Sequence, residues 1–245
     1  MSDRWLIVLF VVTGVAWPAL AAPGAKKIDR LVEAEKSDKA WSLCARELAK
    51  GEMDADPELR EACAAARLAW LMTANPAGLS VPNLEEFWTS WDGTIAAAGA
   101  REMAARSLVG DAGDNRELLF EVGVEFPETT AGTEAIGRIW QLALDDGTSA
   151  SALRFAETFP DAPQAADARV RASQLAFGEA AKDGSSGAWQ TFLDRWPGHE
   201  RHAEGTGRWH EALFAEAEAD DSSAGWRAFL DNWPDHPRFA DAEER

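Results

Sequence analysis

Apolar residues recur along the chain at helical spacing. In "AWQTFLDRWP" (Ala188–Pro197) and "GWRAFLDNWP" (Gly225–Pro234), Trp189, Phe192, Leu193 and Trp196 match Trp226, Phe229, Leu230 and Trp233, 37 residues apart. The spacing i, i+3, i+4, i+7 predicts an amphipathic helix pressed on a core. Proline disfavours helical geometry in the residue before it, so each helix is expected to stop at the aromatic. The same corner recurs at Phe159-Pro160 and Phe126-Pro127, and more faintly at Trp91, where Asp92 stands in place of proline. Four residues before each corner comes Phe87, Val122, Phe155, Phe192 or Phe229, a pairing that stacks on one helical face.

A second helix is expected after each corner. "DAPQAADARVRASQLAFGEAAKDG" (Asp161–Gly184) aligns with "GHERHAEGTGRWHEALFAEAEADD" (Gly198–Asp221), with Ala166 opposite Ala203 and Phe177 opposite Phe214. The small pair is expected to allow close packing and the large pair to fill the groove. Between units lie "DDGTS", "KDGSS" and "ADDSS", where Asp and Gly end one helix and Ser caps the next. Helix, proline corner, helix and polar turn at a period of 33 to 37 residues mark a stacked helical repeat. One helix pair cannot bury its own apolar face, so neighbouring pairs must stack.

"AWQTFLDRWPGHERHAE" and "ALRFAETFPDAPQAADAR" resemble the tetratricopeptide family, notably the divergent repeats of bacterial envelope proteins such as the periplasmic partners of the Tol–Pal system. The resemblance covers Leu84–Arg245 and is strongest from Ser149 onward. The chain departs from the family in its 37-residue period and in Gly205, which answers Ala168. The resemblance implies an all-α, right-handed solenoid of antiparallel helix pairs whose concave face binds protein or peptide segments, and it implies no reaction.

Residues 84–245 are thus read as tetratricopeptide-like repeats, residues 22–83 as an N-terminal helical hairpin, or cap, with its linker, and residues 1–21 as a signal peptide. The hairpin is expected over 26–50 and 57–74, with Ala64, Leu68, Leu71 and Pro76 echoing the repeat. Asn83 and Glu86 read as a capping box for the helix that follows. The first residues combine Arg4, an apolar run from Leu6 to Trp17, and Ala19-Leu20-Ala21, which a signal peptidase reads. Cleavage after Ala21 implies export to a periplasm or the outside, and the alternative is a retained anchor. No Cys stands at the cleavage point for lipid attachment. Export also changes the reading of Cys44 and Cys63. Each lies seven residues from the turn Gly51–Asp56, at one height on antiparallel helices, so a disulfide is expected.

A net charge of −18 argues against nucleic acid or an anionic membrane surface as the ligand. Chemistry is sparse. "HERHAE" spaces His199 and His202 by three, whereas a zinc helix needs four with a Glu between them, and no third ligand is evident. "GTG" at Gly205–Gly207 lacks a third glycine and a preceding strand. No catalytic, metal or cofactor set is expected. Trp189, Trp196, Trp226 and Trp233 are read as core. The candidate partner-binding residues stand on the helices after the corners: Arg171, His202, Arg208 and Trp209. The expected role is an interaction scaffold with a protein or peptide partner. The alternatives are an enzyme whose site no motif betrays, or an architectural spacer without a groove.

Overall fold

A computed structural model describes residues 23–51, 56–73 and 79–244. The expected signal peptide, Pro76 and most of the Gly51–Asp56 turn lie outside them. Among the described residues there are thirteen helices and no strand, so the chain is all-α. It divides into two compact units, Met1–Ile136 and Gly137–Arg245, the division falling within the helix Thr130–Asp146.

The first unit opens with α1 (Pro23–Glu33), α2 (Ser37–Leu48) and α3 (Pro57–Thr73), which pack pairwise on one another. The expected single helix over 26–50 is therefore two. Glu35 adopts a left-handed φ of 55°; its N–H donates to the Val32 carbonyl, and the Lys36 N–H to that of Leu31. This is a Schellman stop, and its usual glycine signal is missing. A disulfide joins Cys44 on α2 to Cys63 on α3, with Cα atoms 5.4 Å apart and both residues fully buried. The Ser37 and Thr73 hydroxyls meet at 2.6 Å, tying the start of α2 to the end of α3.

Next come α4 (Val81–Ser90), α5 (Ile95–Ala112), α6 (Arg116–Glu125) and α7 (Thr130–Asp146). Helix α3 packs on α5, and α5 on both α4 and α6. Helix α4 begins earlier than expected. Pro82 sits in its first turn after Ser80, which places Asn83 inside the helix and not at its cap. Proline suits that turn because its missing N–H has no partner there anyway.

The second unit continues with α8 (Ser149–Thr158), α9 (Ala165–Asp183), α10 (Ser186–Arg195), α11 (His202–Asp220), α12 (Ser223–Asn232) and α13 (Phe239–Glu243). Each packs on the next: α8 on α9, α9 on α10, and so on to α13.

All five corners close alike. The N–H of Trp91, Phe126, Phe159, Trp196 or Trp233 donates to the carbonyl four residues earlier at 2.9–3.0 Å. The corner's own carbonyl then accepts from the N–H three residues on, at 3.1–3.2 Å. Trp91 makes both bonds without a proline, with Gly93 at φ 79° turning the chain. Serine caps the next helix as read in the second and third polar turns, whereas in the first Thr148 takes that place and Ser149 lies inside the helix. Thr148, Ser185 and Ser222 cap α8, α10 and α12 through their side-chain oxygens. Gly147, Gly184 and Asp221, just before them, take positive φ.

The apolar residue four positions before each corner is buried in every copy: Phe87, Val122, Phe155, Phe192 and Phe229. Trp189 and Trp226 are buried as well, whereas Trp196 and Trp233 are half-buried at the edge of the core. The interlock between successive helix pairs is aromatic. Trp140, Phe177 and Phe214, spaced by 37, pack on Phe155, Phe192 and Phe229 with ring centres 5.1, 5.3 and 5.8 Å apart. Ala166 and Ala203 are exposed, so close packing falls instead to Ala165, Ala168 and Ala172 on α9 and to Gly205 on α11. Gly205 has a physical reason. A methyl there would stand 3.1–3.2 Å from Phe192 and Leu193, and Leu193 occupies the place that the small Ala156 fills one period earlier.

Carboxylates also cross between helices to bind N-termini, where free N–H groups and the helix dipole favour an anion. Glu61 accepts from the Ile95 N–H at 3.0 Å, and Glu102 from Thr130 at 2.7 Å. Glu179 accepts from Ser149 at 2.8 Å, and Glu216 from Ser186 at 2.7 Å. Part of the acidic excess is thus structural.

Replacing Phe177 with Ala is expected to destabilise the second unit by about 3–5 kcal/mol, and Trp196→Ala by roughly half as much because Trp196 is only half-buried. Urea unfolding of both variants checks that order. A third variant tests α1. Burial, together with Glu33, Glu61 and Glu58, raises the Asp29 carboxyl from 3.8 to about 6. Because the folded pKa lies above the unfolded one, the stability is fully present below about pH 4 and is lost as pH rises through about 6. Asp29→Asn should therefore raise stability at about pH 8 by on the order of 1 kcal/mol, discounted for the group's partial exposure, and leave it unchanged near pH 3. Thermal melts at both pH values check it.

Candidate interaction site

The polar residues that follow the last two full corners repeat as faithfully as the apolar ones. His199 and His236 occupy equivalent places, as do Arg201 and Arg238. In each copy the His Nδ1 accepts from the Arg backbone N–H, at 3.1 Å for Arg201 and 3.0 Å for Arg238. The guanidinium then lies over the keystone ring: Arg201 is 3.7 Å from the centre of Phe177, and Arg238 is 3.4 Å from that of Phe214. An acid three residues on holds each Arg in place. Glu204 binds Arg201 through two 2.8 Å hydrogen bonds, and Asp241 binds Arg238 at 2.9 Å. The Arg201–Glu204 hydrogen bonds raise the pKa of the first and lower that of the second.

Beside the first copy lies an open cleft of about 490 Å³. Phe177, Ala181, Trp189, Ala212 and Ala215 supply apolar walls, and Arg201, Glu204, Arg208 and Glu211 the charged ones. Arg208 pairs with Glu211 at 3.4 Å, so the charges are already matched in opposite-sign pairs. Such a surface, apolar with paired charges, suits a polypeptide segment better than a small ion.

A second, smaller pocket of about 190 Å³ lies at the last corner, lined by Trp209, His210, Asn232, Trp233, Pro234, Asp235 and His236. Trp209 and Trp233 meet at right angles with ring centres 4.8 Å apart. His236 is buried and its Nε2 lies 2.9 Å from the His210 carbonyl. Because its Nδ1 accepts from Arg238, that Nε2 carries the proton in the neutral ring. Burial, and then the nearby His236, lower the pKa of His210. The Trp209 Nε1 is buried and has no acceptor among the described residues.

The four residues singled out from the sequence thus separate. Arg208 lines the larger cleft and Trp209 the smaller one; neighbours on one helix, they stand about 100° apart around its axis. His202 is half-buried in the first turn of α11, its N–H donating to the His199 carbonyl, and it lines neither cleft. Arg171 is exposed on α9, also away from both. Sequence reasoning missed Arg201, Glu204 and Asp235. The 37-residue offset, applied to polar positions as well as apolar ones, finds the Arg201/Arg238 and His199/His236 pairs directly.

Among the described residues no group of three or more His, Cys, Asp or Glu is placed to hold a metal ion. No protein-family profile, curated protein or solved structure matches the chain.

Proposed function

We propose that the chain is an exported interaction scaffold of a bacterial envelope: a tetratricopeptide-like, right-handed solenoid of antiparallel helix pairs that holds a protein or peptide segment. The observation that carries this reading is the cleft over α9 and α11, with its apolar walls and self-paired charges. Binding energy comes from burying side chains of the partner against Phe177 and Trp189. The paired charges set orientation and stay satisfied whether or not a partner is bound. Export is supported by the leader-like start and by the Cys44–Cys63 disulfide, which suits an oxidising compartment. No helix among the described residues is long and apolar enough to cross a membrane.

A photo-crosslinking residue at Ala215, in the cleft, is expected to capture a defined protein from envelope extract, while one at Arg227, on α12 outside the cleft, captures none. Equal capture at both sites, or a reproducible turnover without any partner, contradicts the scaffold role. Intact-mass measurement of the mature protein is expected to place its first residue at Ala22. A mature chain that retains Met1 contradicts cleavage.

A further inference from the structure

Four arginines among the described residues lie over aromatic rings. Arg67 stands 4.9 and 4.6 Å from the ring centres of Trp41 and Trp70. Arg101 stands 5.5 and 5.3 Å from those of Trp88 and Phe126. Arg201 covers Phe177, and Arg238 covers Phe214. Each ring face is electron-rich and attracts a cation through its quadrupole, most strongly for indole.

The Trp209–Trp233 pair differs. Two indoles form a right-angled corner that lines a pocket of about 190 Å³, and no Arg or Lys lines it with them. The cations nearest the pocket in sequence are engaged elsewhere, Arg208 with Glu211 and Arg238 with Phe214 and Asp241. In its place the pocket has the exposed carboxylate of Asp235, which makes no side-chain hydrogen bond or ion pair among the described residues. Three features favour positive charge: two indoles, a carboxylate with no cation beside it in the lining, and a chain of net charge −18. Burial, and then the nearby His236, disfavour a positive charge on the His210 ring.

We propose that this corner is a cation pocket that takes the guanidinium of an arginine presented by the partner segment, set against the indoles of Trp209 and Trp233 and paired with the Asp235 carboxylate. The assignment rests on the scaffold reading and names the chemistry its partner carries. A guanidinium fits better than an ammonium, because its planar face stacks on an indole while its edge donates to the carboxylate. It is also the cation the chain itself places on rings at four other positions.

The probe is the peptide acetyl-Gly-Arg-Gly-amide, with its citrulline analogue as the neutral isostere. Both are titrated into the ¹⁵N-labelled full chain while the indole N–H signals are followed. The arginine peptide is expected to shift the Trp209 and Trp233 signals saturably, with citrulline binding roughly fivefold or more weaker. Asp235→Asn, an exposed and isosteric change, should weaken the arginine peptide about threefold and leave the citrulline peptide unaffected. Equal binding of the two peptides, or an unchanged affinity in the Asp235→Asn variant with native circular dichroism, overturns the pocket. If the indoles stay unmoved while crosslinking from Ala215 still captures a protein, the cation pocket fails and the scaffold role stands. Saturable arginine binding with no protein captured keeps the pocket and sinks the scaffold.

Discussion

The second unit depends on one contact, the keystone ring of one helix pair inserted beside the buried ring of the next. Phe177 leaves α9 to meet Trp189, Phe192 and His199, with ring centres 5.2, 5.3 and 6.0 Å away. Phe214 leaves α11 to meet Trp226, Phe229 and His236 at 5.3, 5.8 and 6.4 Å. Burying one such ring removes far more apolar surface than the small residues around it do, so the ring sets where the next pair must sit. The proline corner, the His–Arg backbone bond and the guanidinium lid all serve to hold the walls of that slot.

This constraint also explains where polar residues are found. The keystone needs a lid against water, and Arg201 and Arg238 provide it with their flat, weakly hydrated guanidinium groups. The lids need anchors, so Glu204 and Asp241 stand one helical turn on. Helix starts need acceptors, so Glu179 and Glu216 reach back from the longer helices. The clefts then arise as a by-product: the spaces beside the lids, walled by rings and rimmed by charges, are the surfaces left for a partner.

Most of the fold was legible because the repeat is written in large residues. The corners, the buried apolar residue four positions earlier and the Ser185 and Ser222 caps could each be placed from the sequence. The failures have distinct physical sources. The break between α1 and α2 is hidden because Glu35 takes the left-handed position that glycine usually signals. The start of α4 is displaced because Pro82 suits a first helical turn as well as it suits a linker. Ala166 and Ala203 align in sequence yet face outward, since alignment reveals equivalence and not direction. The site was less legible. Arg208 and Trp209 are adjacent in sequence but serve different clefts, and Asp235 looks like ordinary turn chemistry until the two indoles are brought beside it.

Each 37-residue period is one interchangeable structural unit. Deletion of Ser186–Ser222 joins Ser185 to Ser223 and presents Phe177 with Trp226, Phe229, His236 and Arg238 in place of their equivalents. The shortened chain is expected to remain helical by circular dichroism and to unfold cooperatively in urea, with the Phe177 slot rebuilt. Loss of helicity, or melting without a cooperative transition, means that the 37-residue periods are not interchangeable.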